Sequence, residues 1–402
     1  APLILQHSFY TVKILLKMPT NTNLFLGRPR KILTFFGMWL PPENYLKLVK
    51  IYMVFVMITQ YSFVLFEIIY IIGVWGDIGM VSEASYLLFT QASVCYKTTA
   101  FLVNKKKLLE LLDFMEKEIF APQSAAHEKI LLLLSQKIKR LCMFFLTSAV
   151  TTCTLWAMIP LFDDASHKSF PFKIWMPVTP DKSPEYELGY VYQMMSIYIS
   201  AFLFIAVDSV ALSMIMFGCA QLDIIKDKIQ KVHAVPLNLK LHQKKDKLGN
   251  NNKLLNECVR HHQEVIRFIE LVEDTYHANI FFQLSGTVAI ICNIGLRITI
   301  VDHNSVQFYS MLNYMVTMLS QLFLYCWCGN ELTIRSEVLR DWLYQCPWYD
   351  QDIKFKRSLW ITMERMKKPI IFKAGHYISL SRPTFVAVSC SIFFLWERRQ
   401  TS

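Results

Sequence analysis

Charge is what this chain has least of. Of its 402 residues only 18% are charged, while 53% are hydrophobic and 14% aromatic. Soluble domains carry about 25% charged residues. So little polar material cannot cover one globule in water, and the composition points to an integral membrane protein. Glycine is scarce, at 12 residues, and no glycine-rich phosphate loop or dinucleotide fingerprint occurs. No H-E-x-x-H, G-x-S-x-G or paired-carboxylate pattern occurs either, so no catalytic residue is assigned and an enzyme is not expected. His261 and His262 are adjacent and cannot both face one way on a helix. Cysteine numbers 10, but none lies in a predicted outer segment. Disulfides form on the oxidising side of a membrane, so none is expected there. Cys326 and Cys328 flank Trp327 without a second pair or a His to complete a zinc set, and no metal or cofactor is expected. The Ile14-Leu15-Leu16 run is too brief for the core of a cleaved signal, so the first span is expected to act as the insertion signal.

What the chain does have is seven apolar stretches. They are Ile51–Trp75 with Glu67 inside, Ala84–Val103 with Lys97, Leu141–Phe162, Leu188–Leu222 with Asp208, Tyr276–Val301 with Arg297, Val306–Gly329, and Pro383–Trp396. A lipid-facing helix needs about 20 apolar residues. The last stretch has 14, which suits a helix wrapped in protein. Basic residues set the orientation. With the N-terminus inside, the outer segments hold only Lys168, Lys173, Lys182, Arg398 and Arg399 of the 42 Lys and Arg. The net charge of +11 then faces anionic inner-leaflet lipids and needs no nucleic-acid partner. The expected fold is all-α: seven transmembrane helices, an intracellular N-terminus, an extracellular C-terminus and a cytoplasmic helical anchor bundle.

The organisation follows. Residues 1–45 form a cytoplasmic N-terminal segment, 46–222 transmembrane helices one to four, and 223–275 cytoplasmic helices with a loop. Residues 276–329 form helices five and six, 330–380 an anchor segment, and 381–402 the last helix and tail. The tract 240–253 is charged and Asn-rich and reads as a disordered loop. Apolar residues at helical spacing extend the fourth helix past Gly218. Leu255, Val259, His262, Ile266, Ile269 and Val272 form a stripe before the fifth span.

Lone charges inside spans are functional hypotheses by default. Lys97, Asp208 and Arg297 lack the ladder of a pump or voltage sensor, and an interhelical polar contact is favoured over an ion path. Aromatic and hydroxyl side chains cluster in the outer halves of the spans: Tyr86, Phe89 and Thr90; Thr151, Thr152 and Trp156; Tyr190, Tyr192, Met195 and Tyr198; Phe308, Tyr309 and Tyr314. Such clusters suit a pocket for a small, mostly apolar molecule, and interfacial aromatic belts give the same enrichment.

Three segments resemble the insect odorant receptor family. One is Tyr325-Cys326-Trp327-Cys328-Gly329-Asn330-Glu331-Leu332 with Ser336 and Trp348-Tyr349. The second is Met366-Lys367-Lys368-Pro369 with Ala374-Gly375, Leu380-Ser381 and Thr384-Phe385. The third is Cys258-x-x-His261 with Ile266 and Phe281-Phe282-Gln283-Leu284. The resemblance implies a ligand-gated, non-selective cation channel of four subunits in the plasma membrane of an olfactory sensory neuron. It implies small volatile odorants bound between helices two, three, four and six, with Tyr86, Phe89, Thr90, Thr152, Trp156, Tyr192, Met195, Tyr198 and Tyr309 as site residues. It further implies a pore lined by the last helix, with Ser391, Phe394 and Arg398 on it, and cytoplasmic helices that hold the tetramer. The long cytoplasmic insert of the shared co-receptor is absent, so the chain resembles a ligand-specific subunit that joins that co-receptor in a hetero-oligomer. Arg398 departs from the family's usual apolar or hydroxyl-rich ending, and a basic ring there opposes cation entry. A metabotropic seven-helix chemoreceptor and a multi-pass transporter are the alternatives.

Overall fold

A computed structural model describes residues 20–39, 46–162, 170–177, 183–235, 240–298, 301 and 305–390. Long helices dominate them: α1 (Thr20–Phe35), α2 (Leu46–Gly73), α3 (Ile78–Val103), α4 (Lys105–Met115), α5 (Ala125–Phe162), α6 (Glu185–Gln230), α7 (Leu241–Ile298), α8 (Val306–Gln345) and α9 (Ile353–Arg365). A 3₁₀ turn, Glu118–Phe120, precedes α5. Residues 382–390 are helical and begin the last stretch.

Helix α6 is the axis of the bundle. Of its most apolar 18-residue window 83% is buried, against 28% for α2 and 22% for α5. From Leu203 to Leu222 every residue is buried, as expected of a helix apolar on all sides and enclosed by others. The outward faces of α2 and α5 instead present Ile51, Phe55, Ile58, Leu65, Ile72, Leu133 and Phe144, a surface suited to lipid. Among the described residues α2, α5, α6 and α7 are long and apolar enough to cross a membrane by length and composition. Helices α3 and α8 carry more polar side chains because their inward faces hold Gln91, Lys97, Thr98, Thr317 and Gln321, all buried.

The spans extend past their expected ends. Span five is the far half of α7, and span six continues through α8 to Gln345. These continuations pack with α1, α4 and α9 below the bundle. Four rings hold this lower part together: Phe25 of α1, Phe120, Phe217 of α6 and Phe268 of α7. Phe217 meets Phe25 at 5.4 Å, Phe120 at 5.7 Å and Phe268 at 5.4 Å, each edge to face. Such pairs add about 0.5–1.5 kcal/mol each beyond buried area.

One sequence expectation is corrected here. Residues 241–253 are not a loop but the start of α7. Tertiary partners override the poor propensity: Asn251 Nδ2 donates to the His233 carbonyl (2.9 Å) and to Gln351 Oε1 (3.0 Å), and Asn252 Nδ2 donates to the Asp352 carboxylate at 3.0 Å. The N-terminal segment also holds a helix, α1, which Gly27 and Pro29 obscure in the sequence. Its Phe25, Leu26 and Leu33 are fully buried, so packing supplies what propensity lacks. A two-stranded antiparallel hairpin, β1 (Lys373–Ala374) with β2 (Ile378–Ser379), interrupts the all-helical pattern. Of the expected stripe on α7, Leu255, His262, Ile269 and Val272 are buried and Val259 and Ile266 half-buried, and Cys258, Val265 and Phe268 widen the buried face.

The three motif segments converge. A Cβ on Gly329 would lie 2.4 Å from Leu380 Cβ and 2.5 Å from the Leu380 carbonyl oxygen. Thr333 Oγ1 donates to the Ile370 carbonyl (3.1 Å), and Ser336 Oγ accepts from the Ile370 amide (3.0 Å). Gly375, at φ +59°, donates its amide to the His277 carbonyl (3.0 Å), and a Cβ there would meet the Phe281 ring at 2.6 Å. The glycines are where the 370–380 strand-turn lies against α7 and α8 without room for a side chain.

Candidate ligand site and its polar floor

A cavity of about 50 Å³ lies between α3, α5, α6 and α8, toward the end of the bundle that carries the α2–α3 turn. Helical spacing builds it. On α5, Thr152 and Trp156 are one turn apart and both face inward. On α8, Ser310, Met311, Tyr314, Thr317 and Met318 form one buried stripe. Trp156 is the central ring. It packs at 5.1 Å on Tyr314, at 5.2 Å on Phe172 and at 6.4 Å on Tyr86. Phe172 belongs to an extended strap, residues 170–177, which the sequence shows only as an outer loop. Gln193 of α6 pins it: Oε1 accepts from the Phe172 amide at 3.1 Å, and Nε2 donates to the Phe172 carbonyl at 3.2 Å.

Polar groups on the wall are largely spoken for. The Tyr314 and Thr90 hydroxyls are hydrogen-bonded to each other. Asn313 Nδ2 donates to Thr152 Oγ1 at 2.8 Å, and Thr152 Oγ1 donates to the Ser148 carbonyl at 3.1 Å. Ser200 Oγ lies against the side-chain oxygens of Gln60 on α2 and Gln91 on α3. A surface of rings and methyls with satisfied hydroxyls recognises a small molecule mainly by shape and dispersion.

Phe204 closes the cavity from below. Lys97 Nζ sits 3.8 Å from the centre of that ring and 2.6 Å from Asp208 Oδ1. The interhelical contact favoured over an ion path is therefore present. The other Asp208 oxygen accepts from Gln321 Nε2, and Tyr325 also hydrogen-bonds Asp208. Gln321 Oε1 accepts from Gln283 Nε2 (2.7 Å), and Gln283 Oε1 accepts from Ser93 Oγ (2.7 Å). One buried network thus ties α3, α6, α7 and α8.

The structure distributes the sequence-selected residues unevenly. Thr90, Thr152 and Trp156 line the cavity. Tyr86 stands behind Trp156 and Tyr314. Tyr192 leaves the cavity for α2, where its hydroxyl bonds Ser62 Oγ at 2.7 Å and its ring stacks on Phe63. Tyr198 reaches Thr154 Oγ1 at 3.1 Å on an outer face. Phe89, Met195 and Tyr309 are 44%, 51% and 56% exposed and do not line it. Met195 and Tyr309 each neighbour a buried residue and Phe89 neighbours Thr90 of the cavity wall, and about 100° of helical rotation per residue turns all three outward. Sequence reasoning missed Gln91, Cys153, Ser200, Phe204 and Thr317, and it chose Tyr309 over Tyr314. The buried stripe on α8 was readable as an i, i+3, i+4, i+7 pattern. The pore residues Ser391, Phe394 and Arg398 lie outside the described residues. No group of three or more His, Cys, Asp or Glu among the described residues could hold a metal ion.

The family model described as "7tm Odorant receptor" matches residues 77–392. Odorant receptor 46a, isoform A, of Drosophila melanogaster is 24% identical over 354 residues, covering 87% of this chain and 90% of that protein. Odorant receptor Or1 of Anopheles gambiae is 22% identical over 330 residues, covering 78% of this chain and 79% of its own length. Among solved structures, the insect olfactory receptor OR5 from Machilis hrabei superposes with a TM-score of 0.78 at 13% identity, covering 92% of this chain and 96% of that one. The same receptor in complex with eugenol gives 0.78 at 15%, covering 94% and 98%. The fold is a seven-transmembrane helical one, shared almost from end to end. A family match over most of the sequence makes the chain a member of the odorant receptor family, a family of receptors and not of enzymes.

Proposed function

We propose that this odorant receptor is the ligand-specific subunit of a ligand-gated, non-selective cation channel. It binds a small apolar volatile in the cavity around Trp156. It works in the plasma membrane of a sensory neuron, in a hetero-oligomer with a shared co-receptor, with the N-terminus in the cytosol and the C-terminus outside. The carrying observation is the aromatic-lined cavity between α3, α5, α6 and α8, in a chain whose fold matches that of an olfactory receptor solved with eugenol. The site residues we propose are Thr90, Thr152 and Trp156, with Tyr314 added and Tyr86 in support. The last helix lines the pore, and Ser391, Phe394 and Arg398 belong to it.

The cavity is far smaller than the roughly 300–1,000 Å³ of drug-sized sites. Ligand entry must therefore push wall side chains apart. The ring cluster at Trp156 and the floor at Phe204 stand where that displacement passes toward the Lys97–Asp208 network. Whole-cell recording tests the reading. Cells expressing the chain with the co-receptor should give inward cation currents to some members of a volatile panel. A silent panel, with surface expression confirmed, overturns it. An epitope after Ser402 should stain on intact cells; staining only after permeabilisation overturns the orientation.

A further inference from the structure

Two carboxylates are buried among the described residues, Asp208 and Glu67. Asp208 has a lysine, an amide and a phenol as partners. Glu67 has none: it is 1% exposed, and neither carboxyl oxygen has a hydrogen-bond partner. Burying a carboxyl without a partner costs several kcal/mol even after relaxation. Tertiary structure has solved that problem one helix away and left it open here.

Its place in the bundle is informative. Val56, Gln60, Phe63, Glu67 and Ile71 form the buried face of α2, at the spacing that puts side chains on one side of a helix. Gln60 on that face meets Ser200, a cavity residue. Two turns on, Glu67 shares its buried face of α2 with Phe63, which packs in one buried cluster with Tyr86, Trp156 and Tyr314. Tyr314 is a cavity wall. Glu67 does not itself line the 50 Å³ space. A ligand larger than a water or two must widen that space, however, and α2 is among the least enclosed of the helices. Widening toward α2 brings the ligand to Glu67, whose two oxygens lack a donor. The other wall hydroxyls and amides already have partners.

We propose that Glu67 is the polar determinant of the ligand site, and that this chain selects small apolar molecules carrying one O–H or N–H donor. The donor pairs with the Glu67 carboxyl while the apolar body packs on Trp156 and Tyr314. This rests on the reading of the cavity as the ligand site.

The test uses the purified full-length chain in detergent and matched probe pairs that differ only in the donor: 4-ethylphenol against 4-ethylanisole, and two larger phenol and methyl-ether pairs. Binding is read from ligand-dependent shifts in thermal unfolding, so no current is needed. The wild type should bind each phenol about tenfold or more tightly than its ether, the worth of satisfying a buried acceptor that otherwise has no partner. Glu67→Leu should bring the ratio to about one while ether binding persists. Glu67→Gln, which keeps an acceptor, should restore part of the preference. A wild type that binds phenol and ether alike overturns the proposal, as does a Glu67→Leu protein that keeps the full ratio. If Glu67→Leu fails to fold, the wild-type and Glu67→Gln ratios still decide. Binding of neither probe class by the wild type overturns it together with the cavity reading. A donor preference in a protein that passes no current leaves it standing and overturns the channel instead.

Discussion

Lys97 on α3 and Asp208 on α6 are joined in the middle of the bundle, Nζ to Oδ1 at 2.6 Å, with side chains 1% and 3% exposed. They are 111 residues apart in the chain. The pair holds the two helices in register directly beneath Phe204. Its second carboxylate oxygen extends the contact to Gln321 on α8.

Removing one partner strands a buried charge, at about 3–5 kcal/mol. Lys97→Met and Asp208→Leu should therefore each lower the melting temperature of the detergent-purified protein and its surface expression. Combining them should recover much of the loss, because no charge is then stranded. A double variant that melts at the sum of the two single losses would show that the pair is not coupled.

Trp156 touches three rings around the cavity. Trp156→Ala should enlarge the space and shift the preferred ligands toward larger molecules in a dose–response series, with a stability cost of about 3–5 kcal/mol. Alanine at Phe89, Met195 or Tyr309 should leave concentration–response curves within about twofold of wild type, since those side chains point out of the bundle. A large change at any of the three would contradict the placement.

Gly329→Ala should abolish folding, read as loss of surface protein and of a monodisperse peak on size-exclusion chromatography. The added methyl falls on the Leu380 carbonyl as well as its side chain. Leu380→Ala should therefore not rescue it. Rescue would mean that only side-chain crowding is at stake.

His261 lies in the part of α7 outside the expected span, with Nε2 3.0 Å from Gln221 Oε1 and its ring against Phe120. Burial pushes it down to about 3 and its neighbour His262 down to about 4. In the unfolded chain both take a proton near their usual 6.5. The folded state excludes those protons, so its stability is complete above pH 6.5 and falls as pH drops toward 4. Melting temperatures measured from pH 7.5 to 4.5 should decline across that window, and His261→Gln should flatten the decline. An unchanged slope in that variant would assign the acid sensitivity elsewhere.

Much of this protein is local information. The apolar runs, their lengths and the poverty of charge dictate membrane helices, because each residue's transfer cost is its own and adds along a segment. The quoted motifs are readable for a related reason: glycines at 329 and 375 mark where chain segments touch, whichever segments those are. The composition also made it legible that Lys97 and Asp208 needed partners. It could not say that they would find each other, since pairing depends on which helices pack and at what height.

The rest is decided by neighbours distant in sequence. Residues 241–253 are helical because Gln351, Asp352 and the His233 carbonyl receive their asparagines. Helix α1 forms despite Gly27 and Pro29 because Phe25 and Leu33 are buried. Tyr314 rather than Tyr309 faces the cavity because rotation of α8 is set by what it packs against. Composition and period follow from each residue and those a turn away; the inward face, the closed polar network and the unpartnered Glu67 exist only once four helices share one interior.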